Sequence, residues 1–418
     1  MNIVEKANAE ASKQESFDFI FYLASLLAEY GQTVFEIEEV LINLTEYLKL
    51  DYKFFTLNKA LWVSTEINDT PQTFMKPLHS GRPELNKLEA IRKVLQSIQK
   101  EKINIHTARI ELEKIEKAND DYHPFIEFLS WPLLGGGFAV YYGGGLNECM
   151  VAAFIAVILF LINDIFKRVR NFEHHKIFEP IAAIVSSLLA VFAALFISPL
   201  SVSIAALCGM MIILPGFSLT KGLNEIALEH TISGSSRLLG AITTLILMAS
   251  GVFLASKIYE LMHLPPIDNY AVQPGIWLIL LGVIASTLAL CVYVKVRPRH
   301  IIWVLIVAII ISFILIDGAK LLGPSLSTGA ASLVTALGAN IYSRIRNCSD
   351  SVIKIPNTYI LVPGYTGLTA VVMLINKDTM LQGVDKLLTT VGIAIAIIAG
   401  YLIADIILPP KRMWKTKR

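Results

Sequence analysis

The stretch IILPGFSLTKG at residues 212–222 drives a Pro-Gly pair into the end of an otherwise apolar run. YILVPGYTGL at 359–368 repeats the device: Pro363-Gly364 is followed by an aromatic and a hydroxyl residue, as Pro215-Gly216 is followed by Phe217 and Ser218. The offset is 148 residues, 363 less 215. A true internal repeat carries other elements with it. Shifted by 148, the apolar runs 147–165, 180–197 and 235–256 fall on 295–313, 328–345 and 383–404, which are apolar too. The chain therefore reads as two halves of five hydrophobic elements each. An odd number of spans per half makes the second half enter the membrane from the opposite side. Such inverted repeats characterise many secondary transporters, whose sites lie at matched helix interruptions.

Composition agrees. With 418 residues, 54% hydrophobic and 17% charged, and a mean hydropathy of +0.59, the chain is too apolar for an ordinary soluble protein. The formal net charge of +2 hides a division, because charges crowd residues 1–125 and the loops while the apolar segments are nearly bare. Nucleic acid is not implied as a partner; the lipid bilayer is. Cys149, Cys208, Cys291 and Cys348 have neither disulfide-framework nor zinc-like spacing, so no metal or other cofactor is expected. The start MNIVEKANAEASKQE lacks the pattern of a cleavable signal peptide.

Residues 1–124 read as an α+β domain outside the bilayer, since no run there approaches the roughly 20 apolar residues needed to span it. Periodicity predicts a helix over 17–29 ended by Gly31, and a second begun by a Thr33/Glu36 capping box with Ile37, Val40, Leu41, Leu44 and Leu48 buried. Three strands follow, over 52–57, 60–67 and 72–76, with turns at Asn58-Lys59 and Asn68-Asp69. Helices over 84–99 and 105–116 complete the domain, with Asn104 or Thr107 as a cap. The first membrane repeat is 125–260, with spans at 127–145, 147–166, 179–198, 201–215 and 235–257. The second is 270–408, with spans at 275–294, 301–317, 327–345, 355–375 and 385–407, and 409–418 is a basic tail. The fold class is a polytopic α-helical membrane protein of about ten segments in two inverted five-helix repeats.

Lys167, Arg168, Arg170, Lys176, Lys295, Arg297, Arg299, Arg344, Arg346, Lys354 and the tail fall in alternate loops, against only Lys257, Lys320, Lys377 and Lys386 in the others. The basic set marks the cytoplasmic side, which places both termini inside, in a plasma (inner) membrane.

No nucleotide-binding, zinc-protease or serine-hydrolase motif stands out, so an enzyme is not expected. His174-His175 reads as a solvated pair. Ionisable residues inside spans are costly and point to function, or else snorkel at helix ends. Asp164, Arg237, Asp317 and Asp405 are the candidates for proton exchange or ion pairing. Breaking a helix at Pro215-Gly216 and Pro363-Gly364 frees backbone groups that are tolerable only where they line a polar cavity. Ser218, Thr220, Asn224, Tyr365 and Thr366 beside the breaks offer hydroxyl or amide partners. A small zwitterion or carboxylate fits that combination.

These residues carry a resemblance. GQTVFEIEEVLINLTEYLKL at 31–50, with Glu38 at an acidic position, LPGFSLTKGLNEIALEHTISGSSRLLGA at 214–241, with Gly234 and Arg237 closing a Gly-x-x-Arg, RPRHIIW at 297–303 and LVPGYTGL at 361–368 resemble the threonine/serine exporter family. Glu36 departs from the Arg usual in that family. The resemblance implies proton-driven efflux of threonine or serine, with small dicarboxylates such as succinate as the alternative cargo. It leaves as rivals a membrane-embedded enzyme and a sensor reading a ligand through residues 1–125. The partners implied are a small-molecule substrate and protons, and homo-oligomerisation is expected by analogy with symmetric transporters.

Overall fold

The computed structural model describes residues 3–67, 70–119, 121–168, 175–263 and 271–410. The Asn68-Asp69 turn, Arg170, His174 and the tail from residue 411 lie outside the described residues. The N-terminal region opens with α1 (Ile3–Glu29), which begins well before residue 17 because 3–16 is rich in Ala, Glu, Lys and Gln and free of Gly and Pro. Gly31 ends the turn at φ 83°, a left-handed conformation that favours glycine. α2 (Val34–Leu48) starts at the expected capping box. The Glu36 amide donates to Thr33 Oγ1 at 3.3 Å, and the Thr33 amide donates to Glu36 Oε2 at 2.8 Å.

Strands β1 (Tyr52–Leu57), β2 (Ala60–Ile67) and β3 (Thr70–Pro77) form an antiparallel sheet in sequence order, and the Leu57↔Ala60 pair closes the first hairpin over Asn58-Lys59. α3 (Leu85–Gln99) and α4 (Ile105–Lys117) follow. Of the two cap candidates Asn104 is the cap, its side chain accepting from the Thr107 amide at 2.8 Å. Leu23, Leu27, Leu41, Leu44, Leu61, Val63, Ile91 and Leu95 are the buried core that holds helices to sheet.

The apolar part comprises α5 (Pro124–Tyr141), α6 (Leu146–Arg168), α7 (His175–Ala194), α8 (Val202–Gly209), a single 3₁₀ turn (Met211–Ile213), α9 (Gly216–Ala227) and α10 (Thr231–Leu261). It continues with α11 (Ile276–Tyr293), α12 (Pro298–Arg346), α13 (Ser351–Leu361), α14 (Gly364–Ile375) and α15 (Met380–Ile407). Among the described residues seven helices are long and apolar enough to cross a membrane, or eight if the bent pair α8–α9 is one span.

With the bent pair counted as one span, the remaining difference from ten has two causes. Expected spans 301–317 and 327–345 belong to one 49-residue run, interrupted by non-helical backbone only at Gly323 (φ 80°, ψ 167°) before Pro324. α5 is absent from the seven because Glu127, two prolines and three glycines dilute its apolar run. The exposed Leu146, Met150, Phe154, Leu161 and Ile165 of α6 recur at helical spacing, an apolar stripe suited to lipid.

Shifted by 148 residues, α9 lands on 364–375, the bounds of α14, and α10 lands on 379–409, against α15 at 380–407. Packing is reciprocal, with α10 against α14 and α15 against α9. α5 and α11 cross at backbone contact: a Cβ on Gly137 would meet the Gly282 carbonyl oxygen at 2.7 Å, and one on Gly282 would meet that of Gly137 at 2.9 Å. Small residues permit such approach in lipid, where hydrophobic burial supplies no drive between helices.

The N-terminal region docks onto the loop after α11. The amides of Leu85 and Asn86, free at the start of α3, donate to the carbonyls of Val294 and Lys295 at 3.0 and 3.1 Å. Buried Glu89, one turn on, meets Arg299, Arg297 at 3.6 Å and His300 at 3.4 Å. Burial alone would raise its carboxyl, yet the His300 hydrogen bond and the Arg297 and Arg299 charges hold it at about 2. A depressed carboxylate contributes stability that is present above its unfolded value of about 4.5 and is lost as pH falls towards 2. The melting temperature in detergent therefore drops across that window in the wild type. Glu89→Gln melts lower at pH 7 and shows a flatter profile; parallel profiles would remove Glu89 from the docking.

Candidate functional site

Each Pro-Gly pair starts a helix. Proline lacks the amide that would be unsatisfied at a helix start, and its fixed φ (−78° at Pro215, −79° at Pro363) suits the entry to α9 and α14. α8 and α9 are bent by 52° across their break, while α13 and α14 run on as one span. The two breaks meet. A Cβ on Gly216 would lie 2.3 Å from Val362 Cγ1 and 3.0 Å from Gly364 Cα, so only glycine allows the approach. The amide-rich starts of two helices from different halves thus converge on one point, a setting favourable to a carboxylate. Aromatic rings flank it, with Phe217 stacked on Tyr359 at 4.6 Å and Tyr365 on Tyr142 at 4.2 Å. Phe217 and Tyr365 are equivalent under the 148-residue shift.

From the break, α9 runs along a cavity of ≈ 200 Å³ bounded by α2, α13 and α15. That volume is below the roughly 300–1,000 Å³ of pockets for drug-sized ligands and suits a smaller solute. Thr220 and Asn224 line it from α9, Asp405 from α15 and Glu36 and Glu39 from α2. Two ammonium groups join them. Lys221 donates to the Gly31 carbonyl and lies 4.8 Å from the Phe217 ring centroid. Lys354 sits 3.8 Å from the Asp405 carboxylate and 4.7 Å over the Tyr401 ring, whose hydroxyl is 2.6 Å from that of Thr358. Cations, carboxylates and hydroxyls around one small cavity can pair with both ends of a zwitterion.

The remaining candidates fall elsewhere. Pro215, Gly216, Pro363 and Gly364 form the meeting point, and Ser218, half-buried, is in the first turn of α9. Thr366 Oγ1 donates to the Pro363 carbonyl at 3.2 Å, and Tyr365 is held by its stack on Tyr142. Arg237 faces the N-terminal region: its fork donates to both oxygens of fully buried Glu225 at 3.1 Å each and to Asn58 Oδ1 at 2.7 Å. Glu38 accepts from the Thr56 amide at 2.9 Å and lies 3.7 Å from His230. Asp164 pairs with Arg168 one turn on at 2.7 Å, and Asp317 with Lys320 at 3.3 Å, both on exposed helix surface. Of the four ionisable candidates, the structure brings Asp405 to the cavity.

Glu225, Lys221 and Lys354 went unnoticed in the sequence. The first two lie just after the Pro-Gly signature, in a segment short enough to pass for a loop, and Lys354 counted only as a loop charge.

Two models of the threonine/serine exporter family match the chain, one over residues 18–259 and the other over 279–407. An uncharacterized protein of Schizosaccharomyces pombe is 22% identical over 374 residues, which covers 84% of this chain. The chain spans 44% of the length of that curated relative. No solved structure matches it.

Proposed function

Because the chain belongs to the threonine/serine exporter family, we propose that it is a secondary exporter carrying threonine and serine from the cavity beside α2 past the paired Pro-Gly breaks, driven by the proton gradient. The observation that carries this reading is the contact of the two breaks at Gly216 and Gly364. In transporters built from two repeats, interrupted helices at the repeat interface hold the substrate and one half rocks against the other. The substrate carboxylate is held by the amides starting α9 and α14, and its ammonium by the carboxylates of the cavity.

The proposed topology is two inverted halves of five segments. Gly323 divides α12, which at about 1.5 Å per residue is over twice as long as a hydrocarbon core of about 30 Å. Each half then comprises three helices, a broken pair and a closing helix: α5, α6, α7, α8–α9 and α10, then α11, the two parts of α12, α13–α14 and α15. The N-terminal region docks on the face that carries Lys295, Arg297, Arg299 and Lys354. Basic loops face the cytoplasm, so this side is assigned inside, in a plasma (inner) membrane.

Asp405 is the proposed proton carrier, since protonation would release Lys354 to a departing or arriving carboxylate. Two lysines on the cavity also favour the alternative cargo, a small dicarboxylate, but Glu36, Glu39 and Asp405 repel a second negative charge. Asp405→Asn is expected to retain threonine exchange while losing most of the response to an imposed pH gradient, read as labelled threonine flux in vesicles. A variant that responds like the wild type would move the coupling elsewhere.

A further inference from the structure

A second cavity, ≈ 330 Å³, opens where the N-terminal region meets the end of α12. Its origin lies in α3, which is buried on two faces. Leu88, Ile91, Leu95 and Ile98 repeat at core spacing, while Glu89 and Arg92 share the adjoining face, turned towards α12. Arg92 is 2% exposed, one of the largest fully buried side chains in the protein. Lys93 joins it from α3, and Arg299 and Arg346 from the two ends of α12. Buried His300 closes the wall, its Nδ1 2.6 Å from the Tyr342 hydroxyl.

Charge is unbalanced here. Four cations line the cavity, and Glu89 is its one acid among the described residues. That carboxylate is already shared by Arg299, Arg297 at 3.6 Å and Lys93 at 3.6 Å. Asp350 acts on Arg92 from beyond the lining, yet burial still pushes the guanidinium down from its usual value. Four cations less one carboxylate leave a formal excess of three positive charges on the cavity wall. Arg92 is buried behind the others, while Lys93, Arg299 and Arg346 keep exposed heads at the cavity mouth, where they can close on an incoming anion. Guanidinium forks match the oxygens of phosphate, and a phosphate monoester at about −1.5 to −2 answers the excess better than one carboxylate does.

We propose that this cavity is a phosphate-binding site that clamps the N-terminal region to the membrane helices, with Arg92 and Lys93 gripping from α3 and Arg299 and Arg346 from α12. The ligand chemistry is a phosphate group, either free in solution or on a lipid headgroup. Occupancy would fix the position of α2, which also walls the transport cavity, so the anion would act on transport through the docked region.

The test uses the full-length protein in neutral detergent, titrated with radiolabelled orthophosphate, and in nanodiscs of phosphatidylcholine with or without phosphatidic acid. Saturable orthophosphate binding assigns a free anion, and a rise in melting temperature confined to phosphatidic-acid discs assigns a headgroup. Either supports the site. Arg346→Gln, an exposed change that spares the fold, should weaken binding by about 10- to 150-fold, the equivalent of a charged hydrogen bond of about 1.5–3 kcal/mol. No saturable binding in either arm, or Arg346→Gln and Lys93→Gln variants that bind like the wild type, would overturn the proposal. Binding and melting are read without flux, so this outcome is separate from that of the transport reading.

Discussion

Gly216→Ala lowers threonine flux by roughly 5- to 150-fold while the protein inserts and melts close to the wild type. The added Cβ would stand 2.3 Å from Val362 Cγ1 and 3.0 Å from Gly364 Cα, where ordinary contact begins at 3.4 Å. Val362 is β-branched and turns only at χ1, and the Gly364 backbone cannot turn away, so the two breaks must separate. Overpacking of this kind costs about 1–3 kcal/mol. Borne by one of two alternating states, that energy changes its population by about 5- to 150-fold. Gly364→Ala provides the contrast: its Cβ meets Leu214 Cβ at 3.4 Å and Gly216 Cα at 3.5 Å, which is ordinary contact, so flux stays within about twofold. Labelled threonine flux in proteoliposomes reads both. Equal losses would mean that glycine at the breaks serves helix starts alone.

Arg237→Met is expected to cost the most stability of any single change considered. Its guanidinium holds Glu225, whose side chain is fully buried, through two 3.1 Å bonds. The Ser233 hydroxyl and the Val34 amide, each at 3.4 Å, are weak substitutes. A buried charge that loses its partner costs about 3–5 kcal/mol, whereas replacing both members of the pair is often near neutral. Arg237→Met should therefore melt well below the wild type in detergent, and Arg237→Met with Glu225→Met should recover most of the loss. A double variant no better than the single one would show that Arg237 acts through Asn58 instead.

Local signals were legible where their cause is local. The Thr33/Glu36 capping box and the Asn58-Lys59 hairpin need only residues a few positions apart and stand as the sequence indicates, and of the two cap candidates it offers, Asn104 and Thr107, the structure selects Asn104. The two Pro-Gly breaks were legible as helix interruptions for the same reason. Their contact with each other was not, because it is made across 148 residues by shape alone. Lys221 bonds the Gly31 carbonyl and Glu225 reaches the Val34 amide, partners 190 and 191 residues away that no spacing rule reveals. Asp164 and Asp317 carried the signal of intramembrane charge, yet each has a basic partner within one helical turn on exposed surface. In α12, Lys320, Gly323 and Pro324 read as a loop between spans, but helical backbone persists to Gly323, since a single left-handed glycine suffices to break the run.

Counterflow of labelled threonine into proteoliposomes loaded with unlabelled threonine, serine or succinate tests the central claim most directly. The account predicts a transient overshoot with internal threonine or serine, absent with succinate and strongly reduced by Gly216→Ala. An overshoot with succinate alone, or none with any of the three, would contradict it.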